Sequence, residues 1–176
     1  MSTNTTNRDP ARRVVIPSLG AVTNLGIGAG KAWGAMREGR SGISVIEEEM
    51  FDRYKEPWDV TIGGQVKDFS PEPVMERREA RRLDRCTQLG VVAAEEAVLD
   101  SGLDFTTGVF DRRGTVMGSG IGGIRTIEDG LQTMSSRGWS RMSPFTVPRL
   151  MVNAVTGNIS IRYNLQGPSS AHATAC

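Results

Sequence analysis

Short apolar runs alternate with longer stretches of helical periodicity along this chain. Four runs predict strands, at residues 13–16, 60–66, 114–117 and 169–176. Apolar spacing predicts helices at residues 29–38, 87–99 and 124–134, and a further helix that starts at Pro148. Because strands alternate with helices, we expect an α/β fold with a largely parallel sheet and helices on both of its faces.

The apolar positions also indicate which side of each helix is buried. Residues 87–99 are apolar nearly all round, so this helix is expected to lie in the core. The predicted core-facing residues of the first and last helices are Ala29, Trp33, Met36, Val152, Val155 and Ile159.

The composition is that of a folded domain, with 176 residues of which 38% are hydrophobic and 23% charged. A formal net charge of +1 gives no general attraction to nucleic acid or to a membrane. No apolar run approaches the roughly 20 residues that span a bilayer. Two cysteines and one histidine are too few for a disulfide scaffold or a four-ligand zinc site.

The two ends of the chain differ in character. Residues 1–11 are polar, lack the apolar segment of a secretory signal and are expected to form a disordered tail. The chain stops at Cys176, directly after Ala173, Thr174 and Ala175, with no cap or polar tail. We therefore expect a cytoplasmic protein whose chain is truncated at Cys176.

A glycine motif lies between a predicted strand and a predicted helix. Gly118, Gly120 and Gly123 fit the spacing of the dinucleotide fingerprint G-x-G-x-x-G. The acidic residue expected about 20 positions later is missing, which weighs against dinucleotide binding. The alternative is that the glycines allow backbone to approach a neighbouring element or a thin apolar ligand.

Five arginines cluster between residues 77 and 85. On one helix, Arg78, Arg81, Arg82 and Arg85 would share a side through i, i+3, i+4 and i+7 spacing. Such a cationic row suits an acidic partner or a phosphate group. An ordinary solvated helix face remains the alternative.

Cys176 is a candidate nucleophile, because a thiolate attacks acyl carbon well when its pKa is lowered. An inert buried thiol is the alternative. If the last segment is a strand, His172 and Cys176 lie about 13 Å apart, too far for proton transfer. Cys86 lies on an apolar helix and is interpreted as a core residue.

Several segments in series resemble the β-ketoacyl-acyl carrier protein synthases, the type II condensing enzymes of the thiolase-like superfamily. The matching stretches, in family order, are residues 12–16, 19–23, 39–43, 118–123, 143–145 with 147–148, 157–161, 167–169 and 173–176. The resemblance implies a thiolase-like fold built from two similar α/β halves, of which residues 12–176 form the N-terminal one. It also replaces the dinucleotide interpretation of the glycine loop.

The resemblance implies a decarboxylative Claisen condensation in fatty acid elongation. Cys176 takes the place of the nucleophile that accepts the acyl chain as a thioester. In that family the Cys opens a buried helix, whose N-terminus favours thiolate while backbone N–H groups hold the oxyanion. Malonyl-acyl carrier protein then loses carbon dioxide and attacks the thioester, assisted by two histidines. Those histidines belong to the other half, and His172 matches neither.

The same resemblance assigns further residues. Gly120 and Ile121 would line the acyl pocket, with Phe145 and Thr146 near the pocket of a partner subunit. Many relatives carry a second Phe where this chain has Thr146, so chain-length preference stays open. The residues that would dock the acidic carrier protein are Arg78, Arg81 and Arg82.

The resemblance implies a homodimer in which residues 169–176 pair across the dimer axis, and no cofactor besides the phosphopantetheine arm that the carrier protein brings. Where relatives usually carry Thr-Gly, this chain has Pro17 and Ser18, and Pro17 removes a backbone donor at a strand end. The alternatives are a polyketide ketosynthase, a carrier-binding or dimerisation module without chemistry, and a dinucleotide-binding domain.

Overall fold

The computed structural model describes residues 14–46 and 59–174. Its helices are α1 (Ala29–Arg37), α2 (Arg77–Ala80), α3 (Arg85–Ser101), α4 (Ile124–Arg137), α5 (Thr146–Leu150) and α6 (Ala154–Arg162). Its strands are β1 (Val22–Thr23), β2 (Gly26–Ile27), β3 (Ser44–Val45), β4 (Ile62–Gly63), β5 (Thr115–Gly118) and β6 (Ser169–His172). The predicted tail at residues 1–11 lies outside the described residues.

The strands form three separate pairs. β1 with β2 and β3 with β4 are antiparallel, whereas β5 and β6 are parallel, with Thr115 opposite Ser169 and Gly118 opposite His172. Helices and strands are thus mixed, as an α/β fold requires. Within the described residues, however, the predicted parallel sheet is represented only by the four-residue β5–β6 pair.

The first predicted strand, at residues 13–16, does not form over its described residues 14–16. Val14, Val15 and Ile16 have no regular structure, and they are 92%, 62% and 80% exposed. A strand requires a neighbour for its backbone groups, and the described part of the chain pairs none with these residues. The predicted strand at 60–66 is similarly reduced to Ile62–Gly63, which pairs with Ser44–Val45.

The core lies where α3 crosses α6. Val91 and Val92 of α3 are buried with Val155 and Ile159 of α6, which confirms the predicted core position of both helices. The two helices approach closely because α3 has a glycine at the crossing: a Cβ at Gly90 would lie 2.5 Å from Val155 Cγ1.

In α1 the buried side is not the predicted one. Ala32 and Ala35 are buried, whereas Trp33 and Met36 are 62% and 52% exposed. Glu96 of α3 accepts hydrogen bonds from the backbone N–H of Ala29 (2.7 Å) and of Ala21 (2.8 Å), which attaches the start of α1 to α3. The helix α1 itself packs against β1 and β2.

The helix predicted from Pro148 onward is two helices. Pro148 is the third residue of α5, where its missing N–H leaves no helical hydrogen bond unmade. Residues 151–153 interrupt the helix before α6 begins at Ala154. In α4 the helical prediction holds, yet its apolar residues Ile124 and Leu131 are exposed and Thr126 is the buried one.

Glu95 and Arg162 tie α3 to α6 beside the core. Arg162 Nε donates to Glu95 Oε2 at 3.2 Å, and the Tyr163 hydroxyl donates to the same oxygen. Burial and the Glu95 carboxylate raise the pKa of Tyr163 to about 12. The two glutamates that interrupt the apolar pattern of α3, Glu95 and Glu96, therefore accept hydrogen bonds from neighbouring elements.

Candidate active site

The candidate site begins at the carboxyl end of the parallel pair. β5 ends at Gly118 and β6 at His172, and Ser119 donates its N–H to the carbonyl of His172 at 2.9 Å. The glycine loop and the segment leading to Cys176 therefore start side by side. Cys176 itself lies outside the described residues.

The glycine loop packs directly against the end of α5. Gly122 has φ +83°, a conformation that favours glycine, and its N–H donates to Ser119 Oγ at 2.8 Å. Gly123 donates to the carbonyl of Leu150 at 3.2 Å, and a Cβ at Gly123 would lie 2.5 Å from the Arg149 carbonyl oxygen. At these two positions the glycines let backbone approach a neighbouring element, one of the alternatives expected from the sequence.

The proposed pocket residues sit on two neighbouring segments. Gly120 and Ile121 lie at the exposed tip of the glycine loop, with Ile121 57% exposed. Phe145 is the N-cap residue of α5 and Thr146 is its first residue. The glycine loop contacts the far end of α5 through Leu150, so the two segments are adjacent there.

The arginine cluster does not form one continuous helical face. α2 ends at Ala80, and residues 81–84, which we call the corner, turn before α3 starts at Arg85. Asp84 ends the helical spacing because it has extended backbone (ψ 157°) and caps α3. The predicted row of Arg78, Arg81, Arg82 and Arg85 is thus wrong in its geometry.

Arg85 is directed away from the other arginines. Its Nη2 donates to the carbonyl of Val66 at 2.8 Å, and its guanidinium lies over the Phe69 ring at 5.3 Å. Arg85 therefore serves the fold, and only the exposed arginines before it are available to a partner.

Arg78, Arg81 and Arg82 are exposed. Arg78 and Arg82 line a shallow depression of about 420 Å³ together with Glu76 and Glu79. Glu79 lies 3.5 Å from Arg162 Nη1. Arg82 also covers the ring of Phe145, with 5.1 Å between the guanidinium carbon and the ring centre. One proposed docking residue thus contacts one proposed pocket residue.

Asp84 holds the corner in place and was missed by the sequence analysis. Its carboxylate accepts the N–H of Cys86 at 3.0 Å and both the N–H (3.2 Å) and the hydroxyl (2.5 Å) of Thr126. Burial would raise the pKa of Asp84, but these hydrogen bonds bring it below its ordinary value of 3.8. An acidic residue directly before a helix was an available N-cap signal; nothing in the sequence pointed to Thr126.

Of the two thiols of the chain, Cys86 lies within the described residues and Cys176 does not. Cys86 is half-buried and packs against the core, as expected. Burial and the nearby Asp84 carboxylate raise the pKa of the Cys86 thiol, so it stays protonated at neutral pH.

His172 is in extended backbone next to Ser170, with 3.0 Å between Ser170 Oγ and His172 Nε2.

Two further findings concern the described part of the chain. No helix there has both the length and the apolar character that crossing a membrane requires. Residues 14–46 and 59–174 also contain no group of three or more His, Cys, Asp or Glu side chains that could hold a metal ion.

Three solved structures that are similar in fold to this chain are ketosynthases. The chain is similar to the ishigamide ketosynthase/chain length factor (TM-score 0.75, 24% identity, 94% of this chain and 40% of that one). It is similar to a β-ketoacyl synthase from Burkholderia phymatum, with a TM-score of 0.73 and 24% identity over 93% of this chain and 39% of that one. The third structure is a type II PKS acyl-carrier protein in complex with its ketosynthase bound to the hexaketide. Its TM-score is 0.73, with 22% identity over 92% of this chain and 42% of that one. At these identities the similarity establishes the fold.

Sequence comparison gives a closer relationship. The chain is 40% identical over 165 residues to 3-oxoacyl-acyl-carrier-protein synthase 2 of Staphylococcus aureus (strain COL) and, equally, to that of Vibrio harveyi. Each alignment covers 94% of this chain but 39% of the relative, so the chain spans well under half the length of these proteins. The model of the β-ketoacyl synthase N-terminal domain matches residues 11–176. The chain belongs to the β-ketoacyl synthase family and corresponds to its N-terminal domain.

Proposed function

We propose that this chain is the acyl-accepting half of a β-ketoacyl-acyl carrier protein synthase of fatty acid elongation. The observation that supports this most directly is the 40% identity, over 94% of the chain, to proteins named 3-oxoacyl-acyl-carrier-protein synthase 2. The N-terminal family model extends to Cys176, the residue to which we assign the nucleophile.

The proposed reaction has two stages. The Cys176 thiolate attacks the carbonyl of an acyl thioester on the carrier; the bond to the phosphopantetheine sulfur breaks, and that sulfur leaves as a thiol with a proton. Malonyl-acyl carrier protein then releases carbon dioxide, and the resulting carbanion attacks the acyl–Cys176 carbonyl. The bond to Cys176 sulfur breaks, which returns the thiolate and yields a 3-oxoacyl carrier.

The β5–β6 pair supports the assignment of Cys176. His172 ends β6 beside the glycine loop, and four residues of chain span at most about 14 Å. The described chain therefore leads toward Cys176 from the end of the pair at which the glycine loop with Gly120 and Ile121 begins. The other thiol, Cys86, is kept protonated by its surroundings and is a poor competitor for an acyl group.

The acyl pocket is proposed to lie between the glycine loop and the start of α5. Gly120 and Ile121 present a thin exposed wall, and Phe145 and Thr146 lie on the neighbouring segment. Exposed apolar side chains such as Ile121 and Phe145 are suited to an alkyl chain. Thr146 is less bulky than the phenylalanine that many relatives carry at this position.

The exposed arginines of α2 and the corner are proposed to dock the carrier protein. Arg78, Arg81 and Arg82 offer planar, permanently charged groups that pair with the carboxylates of an acidic helix or with a phosphate. The acidic residues Glu76 and Glu79 share this surface, so the site recognises a charge pattern rather than bulk negative charge.

The remaining assignments concern the assembled protein. We propose a thiolase-like fold in which residues 12–176 form one half and a second half supplies the histidines and the rest of a parallel sheet with helices on both faces. The protein is proposed to be a cytoplasmic homodimer, with no cofactor beyond the carrier's phosphopantetheine arm. The apolar residues exposed on α4 and the outer edge of β6, with which no strand within residues 14–46 and 59–174 pairs, are consistent with surfaces covered in such an assembly.

Condensation by the full-length protein that contains this chain tests the proposal. Given an acyl carrier and malonyl carrier labelled in its free carboxyl, it should release labelled carbon dioxide and form the 3-oxoacyl carrier. Cys176→Ala should abolish the 3-oxoacyl product and Cys86→Ser should retain it. Product formation by Cys176→Ala would refute the assignment of the nucleophile, and binding of carrier without any product would favour a module without chemistry.

A further inference from the structure

The corner contacts two parts of the candidate site at once. At Arg82 its guanidinium covers Phe145, and two residues later Asp84 accepts two hydrogen bonds from Thr126 in the first turn of α4. The corner is thereby held between α4 and α5. The surface that would receive a carrier protein and the wall that would receive its acyl chain share one side-chain contact.

The contact leaves the hydrogen-bonding part of Arg82 accessible. A cation over an aromatic ring presents its charge to the ring face, whereas the guanidinium N–H donors lie in the plane of the group and around its edge. Arg82 is exposed and faces the depression that it shares with Arg78. A carboxylate can therefore approach the donors of Arg82 while the ring of Phe145 remains beneath the group.

We propose that Phe145 is a positioning residue for Arg82: its ring holds the guanidinium so that the N–H donors of that group face an acidic carrier protein. This inference rests on the proposed function, because it requires that the carrier docks at the corner. Arg81, one residue earlier, has no aromatic contact within the described residues and serves as the internal comparison.

The coupling between the two side chains acts in both directions. A flexible arginine loses rotamer freedom when it binds a carboxylate, and a ring that already restrains it reduces that loss. By linkage, a carrier bound to Arg82 also favours the position of the Phe145 ring that makes this contact. The strength of an exposed cation–π pair corresponds to about a two- to fivefold change in the dissociation constant.

Titration of holo acyl carrier protein into variants of the full-length protein tests the proposal. Phe145→Leu should weaken binding about two- to fivefold, and Phe145→Tyr, which keeps the ring, should bind as the wild type does. The effect of Phe145→Leu should vanish in an Arg82→Gln background and persist in an Arg81→Gln background. A calorimetric unfolding scan of each variant shows that it is folded.

Several outcomes would overturn the inference. One is wild-type affinity of Phe145→Leu when Arg82→Gln binds weakly, and another is an equal effect of Phe145→Leu in the presence and absence of Arg82. If neither Arg81→Gln nor Arg82→Gln weakens binding, carrier docking at the corner is itself wrong, and the inference fails with it. This last result would refute the proposed docking at the corner, whereas the first two would refute only the role of Phe145.

A spectroscopic readout follows the ring directly. With 4-fluorophenylalanine at position 145, the fluorine resonance should shift when holo acyl carrier protein is added. The same addition should leave the resonance unchanged in the Arg82→Gln variant, although Arg78 and Arg81 still offer charge to the carrier. A shift of equal size in that variant would contradict the proposed coupling.

Discussion

At Asp84, one buried carboxylate meets the N-terminal ends of two helices. One oxygen accepts the N–H of Cys86 in the first turn of α3, and the other accepts the N–H and hydroxyl of Thr126 in the first turn of α4. The helix α4 starts after Gly123, which has no side chain to cap it. Negative charge at helix N-termini is stabilising, so Asp84 fixes α3, α4 and the corner with a single group.

Asp84→Asn should destabilise the protein by about 1–3 kcal/mol, because an amide offers one acceptor oxygen where the carboxylate offers two. Thr126→Val, which removes only the hydroxyl donor, should cost about 1–2 kcal/mol. Urea unfolding followed by circular dichroism measures both. Asp104→Asn is the control: Asp104 also accepts hydrogen bonds from threonines, Thr106 and Thr107, but it is exposed and should matter little. Equal losses at Asp84 and Asp104 would contradict this account.

The pKa of Asp84 gives this contribution a pH dependence. The pKa is below 3.8 in the folded protein, so the unfolded state binds the proton more tightly. The stabilisation is therefore complete above the unfolded-state pKa and is lost as the pH falls through the folded-state pKa. Below about pH 4 the wild type should lose stability more steeply than Asp84→Asn. Parallel stability curves for the two proteins across this range would be inconsistent with a lowered pKa.

At the scale of the elements, apolar periodicity predicted the central helices well, because α3 and α6 bury large side chains on regular faces. It failed where partners distant in sequence decide the outcome. The Glu96 carboxylate that binds the start of α1 lies 67 positions away from Ala29. At the corner the capping of α3 by Asp84 had a local signal, whereas its contact with Thr126, 42 positions away, had none. Hydrogen bonds between positions more than 40 residues apart leave no local pattern in the sequence.

The same limit applies to the strand predictions and to the candidate site. The β-branched run that ends at Ile16 has strand character but no pairing partner within the described residues. The glycine motif and the arginine cluster stand out in the sequence, whereas Phe145 and Thr146 were assigned only through the family resemblance. The contact between Arg82 and Phe145 could not be found, since it joins residues 63 positions apart through the turn of the corner.

Alanine substitution at two glycines should change the stability of the protein in opposite directions, because one glycine is closely packed and the other lies in a helix with open space around it. Gly122→Ala should be destabilising by about 1–3 kcal/mol, because φ is +83° and the new Cβ would lie 2.9 Å from the Leu150 carbonyl oxygen. Gly34→Ala, within α1 and with nothing within 4 Å of the new atom, should be stabilising by up to about 1 kcal/mol. Thermal unfolding distinguishes them, and a stabilising Gly122→Ala would show that the loop does not pack on α5 in solution.

Charge reversal at the corner tests the docking surface. Arg81→Glu with Arg82→Glu should weaken the binding of holo acyl carrier protein at least tenfold, and the remaining affinity should depend less on salt. Arg112→Glu is a matched control, since Arg112 is also exposed but lies in the 3-10 turn Phe110–Arg112. Surface plasmon resonance at two ionic strengths measures these effects. Unchanged binding by the double variant would eliminate the corner as the docking site.

At the scale of the whole molecule, large apolar side chains remain at the surface. Val14, Ile16 and Ile161 are at least 80% exposed, and the apolar residues of α4 are exposed as well. Large apolar side chains with this exposure are typical of surfaces that are covered in an assembly. The chain spans 39% of the length of its curated relatives, which leaves ample sequence in those proteins to cover such a face.

Hydrogen exchange should show whether that surface is covered. The amides of residues 14–16 should exchange rapidly in the 176-residue chain and slowly in a full-length protein that contains it, because a paired strand protects its N–H groups. The amides around Val91 in α3 should be protected in both and serve as the reference. Rapid exchange of residues 14–16 in the full-length protein would show that no second half pairs with them.

The most direct test of the whole account is to locate the acyl group by peptide mass spectrometry after the full-length protein meets an acyl carrier thioester without malonyl carrier. The account predicts one acyl group on Cys176, none on Cys86, and no acylation at all in Cys176→Ser. An acyl group on any other residue of Cys176→Ser, or an unmodified Cys176 in a wild-type protein that has bound the carrier, would contradict it.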